Sequence, residues 1–210
     1  SNTAVRFIIA LGVSGCLITK GTDLSAGRVA GFAACLSAIF LQRAGDYSNK
    51  FYPALGNLPI PLVLLGVLAI CALIGAINGT VIAKLKVPPF IATLGMMKIC
   101  RSVTQQCMQK ASPTVPKAFL KIANARIGGE IILPILYWLA LAVILHVVSK
   151  HTAFGRQVFA IGSNERTSKL SGVNVRAVKR RVYALMGALV AITAVIQIAR
   201  IGSMDYANAG

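Results

Sequence analysis

Residues 59–83 run from Pro59 to Ala83 without one charged side chain, and Asn78 and Thr80 are the only strongly polar groups among them. A helix rises about 1.5 Å per residue, so a run of about 20 residues crosses the roughly 30 Å hydrocarbon core of a bilayer. Composition decides between a membrane span and the centre of a large soluble core. The 210 residues are 56% hydrophobic and only 13% charged, with a mean hydropathy of +0.74. Soluble domains carry about twice that charged fraction. The chain therefore reads as an all-α, polytopic helical membrane protein with a single transmembrane domain over 1–210.

Residues 131–149 and 182–199 are the next clearest segments, and 26–42 is just long enough. Residues 4–19 are shorter and hold Arg6, while 89–105 is interrupted by Lys98 and Arg101. The expectation is about six membrane segments. Both ends read as cut, so the chain is expected to be an internal piece of a longer protein.

The formal net charge is +17, from 22 Lys and Arg against 5 Asp and Glu. In a soluble domain this balance points to nucleic acid. Here basic residues flank membrane spans and set their orientation, so the lipid bilayer is the expected partner and nucleic acid is not. Lys84 and Lys86 lie in the link 84–88, and eight bases lie in 150–181: Lys150, Arg156, Arg166, Lys169, Arg176, Lys179, Arg180 and Arg181. Six lie on the other side if each segment crosses once, in 43–58 (Arg43, Lys50) and 107–130 (Lys110, Lys117, Lys121, Arg126). The excess puts 84–88 and 150–181 in the cytoplasm. The five cysteines form no CxxC pair and read as buried free thiols. With His146 and His151 expected near an interface and no HExxH, no metal site is expected.

Interruptions matter in a membrane because lipid cannot satisfy freed backbone groups. Gly21-Thr-Asp-Leu-Ser-Ala-Gly27 separates two apolar runs and carries Thr22, Asp23 and Ser25. Asp23 or Ser25 suits the cap of the following helix. One reading is a tight cytoplasmic turn; the other is a break that lines or supports a translocation path. Asn78 either bonds across a helix interface or faces a pore. Gly27-Arg-Val-Ala-Gly31 and Gly75-Ala-Ile-Asn-Gly79 both fit GxxxG, which permits close helix approach. Pro88-Pro89 ends one element and starts the next.

The stretch 150–181 is the one long polar, basic interval between apolar segments. Within it Ser163 or Asn164 suits an N-cap, Glu165 a first turn, Lys169 a last turn and Gly172 a C′ position. About eight residues make roughly 12 Å of helix, too short to stand alone in water. A partner that grips it, or an amphipathic placement on lipid headgroups, accounts for such an element. Leu170 and Val173 offer it a small apolar patch. No GxxxxGK[ST], GxSxG, SxxK or HExxH occurs, so the chain is expected not to be an enzyme and to bind no cofactor of its own.

With these residues in view, the chain resembles the permease subunits of bacterial ABC importers for sugars, of the galactose/methyl-galactoside type, with ribose and xylose permeases next. The resemblance rests on Gly21-Thr-Asp-Leu-Ser-Ala-Gly-Arg28, Ile77-Asn-Gly-Thr-Val-Ile-Ala83, Pro89-Phe-Ile-Ala-Thr-Leu-Gly95 and Phe154-Gly-Arg-Gln-Val-Phe-Ala-Ile-Gly-Ser-Asn164. Ser171-Gly-Val-Asn-Val175 and Arg200-Ile-Gly-Ser203 continue it.

It implies a helix in 150–181 that couples to a separate cytoplasmic ATP-binding subunit, which uses the ATP. On that reading Asn164, Glu165, Leu170, Ser171 and Gly172 carry coupling. Thr22, Asp23, Ser25, Asn78 and Thr93 line or support the path. The implied partners are that ATPase, a periplasmic sugar-binding protein, a second permease copy and the sugar itself, in the bacterial inner membrane as a multi-pass protein. Arg166, Thr167 and Ser168 depart from the pattern by standing where small apolar residues are expected. The alternatives are a branched-chain amino acid or nucleoside permease of the same superfamily, an ion-coupled secondary transporter with Asp23 as its ion-binding acid, or a non-transporting scaffold.

Overall fold

The computed structural model describes residues 2–41, 58–107, 119–120, 126–127 and 131–201. Four helices come first: α1 (Asn2–Ile18), α2 (Ala26–Leu41), α3 (Ile60–Lys84) and α4 (Pro89–Cys107). Two-residue strands β1 (Arg126–Ile127) and β2 (Ile131–Ile132) pair antiparallel, with Ile127 opposite Ile131. Then follow α5 (Leu133–His151), the short α6 (Ala153–Ser163) and α7 (Glu165–Leu170), and the long α8 (Val175–Ile201). Among the described residues the fold is all-helical apart from that one strand pair.

Among the described residues three helices, α3, α5 and α8, are long and apolar enough to cross a membrane, and α1 and α2 are shorter apolar helices. The expected segments 59–83, 26–42, 4–19 and 89–105 each become a helix within two residues of the expected ends. Lys98 and Arg101 do not break α4; both are exposed, while Thr93, Cys100 and Thr104 turn inward. The five cysteines are free, and four of them are buried.

Burial is uneven, and the unevenness shows which helix is the core. In the apolar window of α8, 67% of residues are buried, against 22% for α3 and 6% for α5. Helix α8 packs on α1, α2 and α3. Glycine makes the α3–α8 contact close. A β-carbon at Gly79 would lie 2.7 Å from Arg180 Cα, one at Gly75 would strike the Tyr183 carbonyl, and one at Gly187 would strike that of Cys71. Membrane helices gain little from mutual hydrophobic burial, so this backbone approach is what holds the pair. The second GxxxG pattern is thus a packing surface. The first is not one at Gly27, where an added β-carbon meets nothing.

The polar interval 150–181 departs most from expectation. It is a chain of helices, in which α5 runs on to His151, α6 follows at once and α8 begins at Val175 rather than at Val182. Thr152 caps α6 by accepting the Gly155 N–H at 3.2 Å. Asn174 accepts the Ala177 N–H at 3.1 Å, and Val175, Val178 and Val182 turn inward one above another. That buried stripe carries the basic first turns of α8 as helix.

The ends of the helices sort onto two sides. Residues of the link 84–88, of α7 and of the start of α8 line one shared cleft, together with Lys20 after α1. The two strongly basic stretches therefore share one end of the bundle, as the single-crossing scheme requires. Of the bases expected on the opposite side, Arg43, Lys50, Lys110, Lys117 and Lys121 lie outside the described residues.

Candidate functional site

Two groups of residues singled out by sequence assemble at this basic end. The first is the capped helix α7. Asn164 is its N-cap, and its side-chain carbonyl accepts the N–H groups of Arg166 at 3.0 Å and Thr167 at 3.1 Å. Ser163, the other candidate, ends α6 instead. Glu165 in the first turn accepts a bond from Lys179 Nζ at 2.7 Å, tying α7 to α8. Ser171 is the C-cap and its hydroxyl donates to the Thr167 carbonyl at 3.1 Å.

Gly172 at C′ has φ +83°, a left-handed conformation that side chains resist. The Val173 N–H then reaches the Ser168 carbonyl and the Gly172 N–H that of Lys169, closing a Schellman motif. The helix holds six residues, not the eight expected, because the chain enters at Asn164 and turns at Ser171.

The departure at Arg166, Thr167 and Ser168 resolves into two faces. Ser168 is buried and its hydroxyl donates to the Asn164 carbonyl at 2.8 Å, so a small residue still faces inward. Arg166 and Thr167 face solvent. Leu170 is 82% exposed at the tip of α7, an apolar side chain with no cover. Val173, expected beside it, is half-buried. The inner packing of α7 is therefore complete, and its polar substitutions alter only the outward surface.

The second group is a buried polar cluster. Asp23, Ser25, Asn78 and Thr93, drawn from three separate stretches, come together where α1 turns into α2; Thr22 lies in the same turn but is exposed, and its engaged group is the backbone carbonyl. Asp23 Oδ1 accepts the Ser25 N–H at 2.8 Å and the Ser25 hydroxyl at 2.5 Å. The Ser25 hydroxyl in turn accepts the Asn78 amide N–H at 3.2 Å, across the α2–α3 interface. Thr93 accepts the Leu24 N–H at 3.3 Å and donates to the Pro89 carbonyl at 2.8 Å.

Ser25, Asn78 and Thr93 are each at most 2% exposed. Buried polar groups that are fully bonded fix a geometry, whereas unpaired ones cost about 1–3 kcal/mol each. Asp23 braces the N–H of Ser25, the residue just before α2, as the capping expectation for this turn holds. Asn78 bonds across a helix interface, as one of its two readings held.

Sequence reasoning missed two connections. Tyr183, buried on α8, donates its hydroxyl to the Thr22 carbonyl at 3.3 Å. Lys20 Nζ reaches the Ser163 carbonyl at 3.5 Å, just before α7. Tyr183 lies one helical turn beyond Lys179, so one face of α8 holds both α7 and the Gly21–Ser25 turn. A tyrosine deep in an apolar helix needs a partner for its hydroxyl, and that need was the available signal.

Apolar helices packed around one buried helix, a bonded polar turn and short helices at the same end define a polytopic helical membrane protein. The chain belongs to the family described as branched-chain amino acid transport system / permease component, whose profile matches residues 2–210. It is 40% identical over 214 residues to the galactose/methyl galactoside import permease protein of Haemophilus influenzae, covering 97% of this chain and 62% of that protein. The Escherichia coli K12 protein of the same description is 40% identical over 215 residues, with the same coverage. The ribose import permease protein of Escherichia coli K12 is 33% identical over 207 residues, covering 96% of this chain and 60% of that protein. The chain thus spans about three-fifths of the length of these curated relatives. No solved structure matches it.

Proposed function

We propose that this chain forms membrane-spanning permease structure in an ATP-driven importer of monosaccharides, in the bacterial inner membrane. On this reading it is not itself an enzyme and holds no nucleotide or other cofactor. ATP is used by a separate ATP-binding subunit that docks on α7. A periplasmic binding protein delivers the sugar, and a second permease copy completes the pathway. The observation that carries the reading is α7 itself: a six-residue helix capped at both ends, tied to α8 through Glu165 and Lys179, and offering a bare Leu170 outward. A helix this short persists only when neighbours hold it. An exposed leucine there suits a protein groove better than water.

The names of the relatives favour sugars over branched-chain amino acids or nucleosides, since they are permeases for galactosides, ribose and fructose. An ion-coupled mechanism has weaker support, because Asp23 is engaged by Ser25 rather than open to an ion. Within the proposed cycle Asn164, Glu165, Leu170, Ser171 and Gly172 receive the push of the motor. Thr22, Asp23, Ser25, Asn78 and Thr93 support the gate from behind: Asp23, Ser25 and Asn78 bond one another, Thr93 holds the Leu24 N–H, and the Thr22 carbonyl is held by Tyr183.

The test is reconstitution of the full-length permease with its ATPase and binding protein. Alanine or charge-reversing replacements across 164–172 are expected to separate ATP hydrolysis from sugar uptake while the complex stays assembled. Coupled uptake unchanged by those replacements contradicts the assignment.

A further inference from the structure

The cleft between the α3–α4 link, α7 and the start of α8 has a volume of about 850 Å³. Lys84 and Lys86 enter it from the link, Lys169 from α7, and Arg176, Lys179 and Arg180 from α8, with Lys20 at the end of α1. Glu165 is the only acid in its lining, and Lys179 already holds it. Orientation of the spans requires bases on this side but not their convergence on one cleft.

A second observation sets two of these lysines apart. Three helices at this end finish with a left-handed C′ residue. Gly172 is one, at φ +83°; the others are Lys20 at φ 58° and Lys86 at φ 55°, the only non-glycine residues of positive φ among those described. After α1 the Lys20 N–H bonds to the Leu17 carbonyl and the Gly21 N–H to that of Cys16, the Schellman pattern in which glycine is the unstrained choice. A lysine at such a position carries backbone strain. Both strained lysines line the same cleft, where Lys20 Nζ also reaches the Ser163 carbonyl at 3.5 Å, and each side chain brings to it a charge that glycine cannot.

The surroundings indicate what they meet. The cleft lies between the end of α3 and the start of α4, and Thr80, Ile82 and Pro89 form part of its wall. On the adjoining turns of α3 and α4 and the link between them, Ile77, Leu85, Phe90 and Ile91 are each 45–66% exposed. A ligand with a phosphate next to acyl chains matches both the charge and the apolar flank; a soluble acidic segment matches only the charge. Basic pockets between membrane helices on the cytoplasmic side suit anionic headgroups. We propose that this cleft is a binding site for the phosphate headgroup of an anionic phospholipid, with Lys20 and Lys86 as its positioned contacts.

The test uses the full-length permease in detergent, titrated with phosphatidylglycerol, phosphatidylcholine or free glycerol phosphate and read by native mass spectrometry. The comparison is with the double variant Lys20→Gly, Lys86→Gly, which relaxes both strained positions, and with Lys20→Asn, Lys86→Asn as a second unstrained pair. The wild type is expected to retain phosphatidylglycerol in preference to the other two. The variants are expected to lose affinity for it by about thirtyfold, at roughly fivefold per lysine near the membrane surface, while their melting temperature stays level or rises. Equal phosphatidylglycerol retention by wild type and variants overturns the proposal. So does equal binding of free glycerol phosphate by the wild type. Variants that keep the lipid preference but bind the ATPase less well overturn it in favour of an acidic protein segment.

Discussion

Replacing Asn164 by alanine removes the acceptor for two backbone N–H groups, those of Arg166 and Thr167, and leaves every apolar contact of α7 in place. N-cap removal costs about 1 kcal/mol, the lower part of the range applying here because the cap is exposed and water partly replaces it. The Glu165–Lys179 pair survives, but at 54% exposure of the glutamate side chain it is worth less than about 1 kcal/mol. For a six-residue helix that cannot stand alone, the cap is thus one of its main supports.

The reporters are specific. The N–H groups of Ser168, Ser171, Gly172 and Val173 bond within the helix and its closing turn. Amide exchange in nanodiscs is expected to quicken at these four by about fivefold, the factor that about 1 kcal/mol of local opening gives. The Leu85 N–H, bonded to Val81 at the end of α3, serves as the unaffected control. Exchange at the four within about twofold of wild type refutes the cap's role. Acceleration spread equally over α3 and α8 refutes the independence of α7.

Further outcomes are expected elsewhere. Gly172→Ala forces a side chain into φ +83° in open space, so α7 should loosen by about 1 kcal/mol through backbone strain alone, seen in the same exchange experiment. Asn78→Leu strips the Ser25 hydroxyl of a donor within a dry interface and should lower stability by about 1–3 kcal/mol, read as a fall in melting temperature in detergent. Gly79→Val drives a branched side chain against the backbone of α8 at Arg180. It should cost about 1–3 kcal/mol or more and separate α3 from α8, measured by thermal unfolding and by the distance between spin labels on the two helices. Tyr183→Phe loses only one hydrogen bond, to Thr22, and should be milder at about 1 kcal/mol.

The spans were legible because hydrocarbon imposes a length, and 59–83 and 131–149 meet it with almost no polar residue. The start of α8 was hidden for the opposite reason. Arg176, Lys179, Arg180 and Arg181 outnumber the inward Val175 and Val178 over the first two turns, so the interval reads as loop until packing shows which face is buried. The caps of α7 were legible residue by residue, since Asn164 and Gly172 have distinct backbone requirements. Its length was not, because Ser163 caps as plausibly as Asn164 until α6 is seen to end there. The four polar residues of the cluster, and Thr22 beside them, were each visible as anomalies in apolar surroundings. Their convergence depends on where α1, α3 and α4 turn at the same end, a tertiary fact. Tyr183 was overlooked because an aromatic residue in an apolar run passes for packing until its hydroxyl must be placed.

The account rests on α7 as the seat of a separate motor rather than a helix lying on lipid headgroups. The direct measurement places the photoreactive residue p-benzoylphenylalanine at Leu170 of the full-length permease, reconstituted with its ATP-binding subunit, and identifies the adduct after irradiation. A second variant with the same residue at Ile91, on the outward face of α4, marks the lipid environment. Leu170 is expected to give a covalent product with the ATP-binding subunit, and Ile91 with lipid. Lipid adducts from both positions contradict the account.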